Sequence, residues 1–130
     1  MDERETVASF HDCFNSGRYY EAHDVLEAMW LPKRREPEGN LWKGLIQLAG
    51  AFVHVRKGRR GPALALLRLA SAHLVAFPPR HELVAVAEAV ALTKEWRTRL
   101  EHPGTRLPDV LSEQGPRLRM PVDPASARLG

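Results

Sequence analysis

Between Leu41 and Lys57 the chain offers a helix with almost no polar side. Leu41, Leu45, Leu48, Phe52 and Val55 mark one apolar face, and Trp42, Ile46, Ala49 and Val53 carry it around the cylinder. What stays polar is a narrow stripe of Lys43, Gln47 and His54. A helix that is oily on nearly every side belongs in the middle of a fold, covered by other elements. Gly44, Gly50 and Ala51 lack bulk there, so neighbouring backbones can approach closely. The chain therefore reads as an all-α bundle built around its third helix.

Four further helical segments are legible. The first spans about Asp2 to Asn15, where Val7, Phe10 and Phe14 share a stripe, and Gly17 ends it as a C-terminal cap. The second spans about Tyr19 to Trp30, with Ala22, Val25, Leu26 and Met29 as its core face, and Pro32 is expected to stop it. The fourth follows Gly61 and runs to about Ala76, where Phe77-Pro78-Pro79 breaks it. The fifth is expected from about His81 to Glu101. Residues 1–102 thus read as one helical domain, and residues 103–130 as a Pro/Gly-containing tail. Five prolines, Pro103, Pro108, Pro116, Pro121 and Pro124, argue against a long helix in that tail. A short turn near Pro108 to Glu113 is possible, and Leu107, Val110, Leu111, Leu118 and Met120 are candidates to pin the tail onto the body. No stretch alternates in the manner of a strand.

The helices come as hairpins. Gly17-Arg18 precedes Ala22, and Gly58-Arg59 precedes Ala63, so each Gly-Arg pair has an alanine five residues after the glycine. Val25-Leu26 then corresponds to Leu66-Leu67. The pattern resembles the helix-turn-helix unit of tetratricopeptide-type repeats, although an offset of 41 residues, from Gly17 to Gly58, exceeds the usual ~34. Similar hairpins stacked side by side explain it without a recent duplication.

Formal net charge is +3, too small to argue for nucleic acid by itself. The basic runs Lys33-Arg34-Arg35 and Arg56-Lys57-Gly58-Arg59-Arg60 flank opposite ends of the third helix, roughly 25 Å apart at ~1.5 Å per residue. A nucleic-acid partner is therefore not expected. Neither is a membrane, because the longest apolar candidate, Pro62 to Pro78, is short and contains Arg68. A single cysteine, Cys13, allows no internal disulfide, and the charged N-terminus does not read as a signal peptide. A cytoplasmic location is the expectation.

Chemistry, if present, gathers on two stripes. His23, Glu27 and Trp30 lie at i, i+4 and i+7 of the second helix, and Gln47 and His54 lie at i and i+7 of the third. A hairpin that turns these stripes together makes a polar cluster of His23, Glu27, Trp30, Gln47 and His54, with Tyr19 or Tyr20 nearby. Such a cluster has three readings. It is a buried hydrogen-bond network that fixes helix register, a pocket for a small-molecule ligand, or a metal site using His23, Glu27 and His54. No cofactor is demanded: the His-Glu-x-x-His signature of zinc enzymes is absent and there is no cysteine cluster. No motif places a nucleophile. Cys13 reads as a packing residue; His11 and His81 are expected at helix surfaces or ends, and His73 beside the core.

The string from Phe14 to Trp30, Phe-Asn-Ser-Gly-Arg-Tyr-Tyr-Glu-Ala-His-Asp-Val-Leu-Glu-Ala-Met-Trp, resembles the family known as domain of unknown function 309. So does Gly44-Leu45-Ile46-Gln47-Leu48-Ala49, followed by His54 and Gly58. The likeness covers roughly Phe10 to Leu74. Asp24 stands where the family more often has Glu, and Arg59 where an Asn often follows the glycine. The resemblance implies a compact helical fold and marks Glu21, His23, Glu27, Trp30, Gln47 and His54 as motif positions. It implies no reaction.

The third and fourth helices carry more apolar circumference than a small monomer covers, so a homo-oligomer, a two-fold dimer above all, is expected. The function expected is a small ligand-binding or protein-interaction module. The alternative is a metal-dependent or hydrolase-like enzyme centred on His23, Glu27 and His54.

Overall fold

The computed structural model describes residues 1–107, 109–113 and 115–121. Within them the chain forms six helices: α1 (Glu3–Asn15), α2 (Tyr19–Lys33), α3 (Gly39–Arg56), α4 (Arg60–Leu74), α5 (Val86–Glu101) and the short α6 (Val110–Glu113). Among α1 to α5, each packs on the next along the chain. This leaves α3 in the centre, between α2 and α4.

Local chemistry sets the ends. The Asp2 carboxylate accepts the Glu5 backbone N–H at 2.8 Å, a side-chain cap on α1. Gly17 and Gly58 adopt φ of 79° and 72°, the left-handed region that glycine enters without strain. After each glycine the Arg N–H turns back onto the helix just ended: Arg18 N–H donates to the Cys13 carbonyl at 2.8 Å, and Arg59 N–H to that of His54 at 2.9 Å. The repeated Gly-Arg is therefore one capping turn used twice.

Two boundaries differ from the sequence reading. Helix α2 continues through Pro32 to Lys33. Lys33 Nζ lies 3.0 Å from Glu3 Oε2, which ties the last turn of α2 to the start of α1. Helix α5 begins at Val86 rather than near His81. Residues 81–85 form a bend instead, in which His81 Nδ1 accepts the Leu83 N–H at 3.0 Å while Leu83 and Val84 are buried. The His81 Nε2 side pairs with Glu38, so this histidine joins the α4–α5 bend to the start of α3 rather than lying free at a surface.

An aromatic chain runs through the core. Phe14 meets Phe52 edge-on at 5.7 Å between centroids, Tyr19 meets Phe52 at 5.4 Å, and Trp96 meets Phe52 at 5.0 Å. Phe52 thus links α1, α2, α3 and α5. His11, expected at a surface, is 3% exposed. Burial is tolerated because its Nδ1–H donates to the Val7 carbonyl four residues earlier, at 2.8 Å. Near the C-terminus, Asn15 exchanges two hydrogen bonds of 2.7 Å with the backbone of Leu118, whose side chain is buried. Leu107, Val110 and Leu111 also pack against the core, and Met120 is half-buried. Pro108, Pro124 and the last residues of the expected tail lie outside the described residues.

Several arginines and lysines of the basic runs are engaged in structure. Arg56 donates to the Gly17 carbonyl at 2.6 Å and lies over the Tyr19 ring, and Arg34 donates to the Leu31 carbonyl at 2.7 Å. Arg60 donates to the carbonyls of Leu100 and Thr105, fastening the start of α4 to the end of α5. Among the described residues, no helix is long and apolar enough to cross a membrane.

Candidate functional groove

The polar stripe of α3 lies on the side that α2 and α4 flank. A Cβ on Gly50 would sit 3.3 Å from Leu66 Cδ1 of α4 and 3.9 Å from His23 Cδ2 of α2. Both neighbours therefore lean over the same small residue. Further along α3, Lys43 Nζ lies 4.4 Å from the centroid of the Trp30 ring. On the other flank, His73 Nδ1 is 2.7 Å from Gln47 Oε1. The result is a groove about 16 Å long, from Lys43 to His54 at ~1.5 Å per residue. Its floor is Lys43, Gln47, Gly50 and His54. One wall is Tyr20, His23, Glu27 and Trp30, and the other is Leu66, Leu69 and His73, each a single helical stripe.

The structure joins some of the expected cluster and separates the rest. His23 and Glu27 meet, with Nε2 to Oε2 at 3.3 Å, and His23 Nδ1 is 3.1 Å from Asp24 Oδ1. Gln47 is 8% exposed and pairs not with these residues but with His73. The Gln47 carbonyl accepts the His73 Nδ1–H, which leaves Nε2 of a neutral His73 ring with its lone pair. His54 Nδ1 and Trp30 Nε1 are sealed from solvent without a hydrogen-bond partner. The expected single network of His23, Glu27, Gln47 and His54 is thus replaced by separate pairs along one groove. Sequence reasoning passed over His73, because its partner lies on another helix; its i, i+7 spacing from Leu66 was the available signal. Of the two tyrosines expected nearby, Tyr20 stands on one rim, 64% exposed, while Tyr19 is buried in the core; Leu69, 49% exposed on the other rim, was missed.

Among the described residues, no three His, Cys, Asp or Glu side chains gather to hold a metal ion. His23, Glu27 and His54 form no such set, so the metal-dependent alternative has no ligand cluster to stand on.

Residues 7–66 match the model of a known family, the domain of unknown function 309 (DUF309). The DUF309 segment contains the first wall and the whole floor of the groove, from Tyr20 through His54, and ends at Leu66 on the second wall. No curated protein and no solved structure matches the chain.

The exposure of His23 and Glu27 sets the energetic weight of their contact. The side chains of His23, Glu27 and Asp24 are 30%, 43% and 59% exposed, so their polar contacts are screened by water. Replacing His23 or Glu27 by alanine is expected to change unfolding free energy by less than about 1 kcal/mol, measured by urea denaturation. A loss of several kcal/mol in either variant would mean that the pair is architecture.

Two histidines make the fold acid-sensitive. Burial holds His11 below the usual 6.5, opposed by its bond to Val7 and by Asp12. Loss of hydration also holds His54 below 6.5, helped by the cations of Arg59 and Lys57. In each case the unfolded chain takes up its proton first. Stability is therefore complete above pH 6.5 and falls as pH drops through the lower folded-state values. Melting temperature should decline on that descent, and His54→Ala should flatten the decline. A wild-type melting temperature that rises on the same descent would contradict this.

Proposed function

We propose that the protein is a small interaction module that works as a homodimer, with the groove of α2, α3 and α4 as its contact face. The observation that carries this reading is the outward side of α4. Pro62, Ala65, Leu69 and Ala72 are all exposed and follow each other at three- and four-residue steps. That is the spacing of an apolar helix seam made for another helix, and soluble monomers rarely leave such a seam bare. A small-molecule ligand in the same groove is the second reading, favoured by the sealed, unpartnered Trp30 Nε1 and His54 Nδ1 on its wall and floor.

Light scattering coupled to size exclusion tests the first reading. The chain should elute at twice its 14.6 kDa mass. Leu69→Glu places a charge in the middle of the seam and should return the mass to that of one chain, with helical content unchanged by circular dichroism. A wild-type mass of one chain from micromolar to millimolar concentration would contradict the reading.

A further inference from the structure

We propose that the second copy sits on this face about a two-fold axis parallel to α3, so that α2 of each copy lies against α4 of the other. This rests on the homodimer reading above and adds its geometry. Two contacts on α3 show that its flanking helices run parallel and in step. His23 of α2 and Leu66 of α4 both abut Gly50, while Trp30 reaches Lys43 and His73 with Leu74 reaches Gly44. Both flanks therefore run opposite to α3, and residue 23 of α2 stands level with residue 66 of α4.

The outward stripe of α2 is Tyr20, Asp24, Glu27 and Leu31: apolar at its ends, 64% and 46% exposed, and acidic in the middle. The outward seam of α4 is apolar throughout. Its mid-helix flank carries Arg68, and no carboxylate occurs anywhere in Arg60–Leu74. Two face-to-face arrangements are available to a two-fold pair. An axis across α3 stacks α2 on α2 and α4 on α4. That sets Asp24 and Glu27 against their own copies and Arg68 against Arg68, which like-charge repulsion disfavours. An axis along α3 keeps the levels matched. Asp24 and Glu27 then reach the level of residues 67–70 on the other copy, beside Arg68, while Tyr20 and Leu31 lie along the alanine seam. The charges select the second arrangement. On the axis it sets Lys43 near Lys43 of the second copy, one like-charge contact against the two of the other arrangement, and it brings the Gln47 and His54 stripes face to face, so the groove becomes an enclosure that each copy completes for the other.

Charge reversal tests this directly. Asp24→Lys with Glu27→Lys, and separately Arg68→Glu, should each weaken the dimer by about tenfold or more in dissociation constant. All three changes together should restore it to near the wild-type value. Glu101→Gln is the control, since Arg68 also lies 3.5 Å from Glu101 of its own chain. That variant frees Arg68 without touching the face and should not weaken the dimer. Circular dichroism confirms that each variant is folded. If the wild type is a dimer but the triple variant is no tighter than either parent, the proposed pairing is wrong while the homodimer reading stands. If the wild type has the mass of one chain, both fail.

Discussion

Phe52→Ala is expected to destabilise the fold by about 3–5 kcal/mol, the range for deleting a fully buried ring that its surroundings cannot close over. Phe52 has no exposed surface, and its ring touches those of Phe14, Tyr19 and Trp96. These come from three other helices, α1, α2 and α5, so no single shift of one neighbour fills the space left behind. The loss is a large part of the roughly 5–15 kcal/mol that holds a domain of this size. Urea denaturation reads it as a lower midpoint with an unchanged slope. A loss below about 1 kcal/mol would show that the aromatic chain is not the centre of the core.

Gly39→Ala should lie at the upper end of the range for overpacking, about 3 kcal/mol. A Cβ on Gly39 falls far inside van der Waals contact with the Arg34 carbonyl oxygen and 2.8 Å from its carbonyl carbon. Both are backbone atoms of the tight turn that joins α2 to α3, so no rotamer change relieves the clash. The turn must open, and with it the angle that sets the first wall of the groove against its floor. The same denaturation experiment measures the loss, and a variant as stable as the wild type would show that this turn is not held as described.

Much of this architecture was legible in the residues, for identifiable reasons. The all-round apolar character of residues 41–57 places α3 at the centre whatever surrounds it. Gly17 and Gly58 announce the left-handed turns because few other residues enter that region without strain. The i, i+4 spacing of His23 and Glu27 brings them together within one helix, so no knowledge of packing is needed. Contacts between helices were less legible. The stripe of Gln47 gives its direction from the α3 axis but not which flanking helix supplies its partner, and His73 of α4 proved to be that partner. His11 was misplaced because a buried imidazole satisfied by a backbone carbonyl leaves no mark in the sequence. The bend of residues 81–85 was read as helix because Leu83 and Val84 fit an apolar helical face as well as they fit a buried turn.

Everything functional depends on whether the α2–α3–α4 face is covered in solution. Amide spectra recorded from low-micromolar to millimolar protein test this most directly. The expected result is a set of concentration-dependent shifts centred on Tyr20, Glu27, Gly50, Leu69 and Ala72, with α1 and the buried side of α5 unchanged. Spectra that do not change with concentration for a chain of single-copy mass, or shifts confined to α1 and α5, would contradict the account.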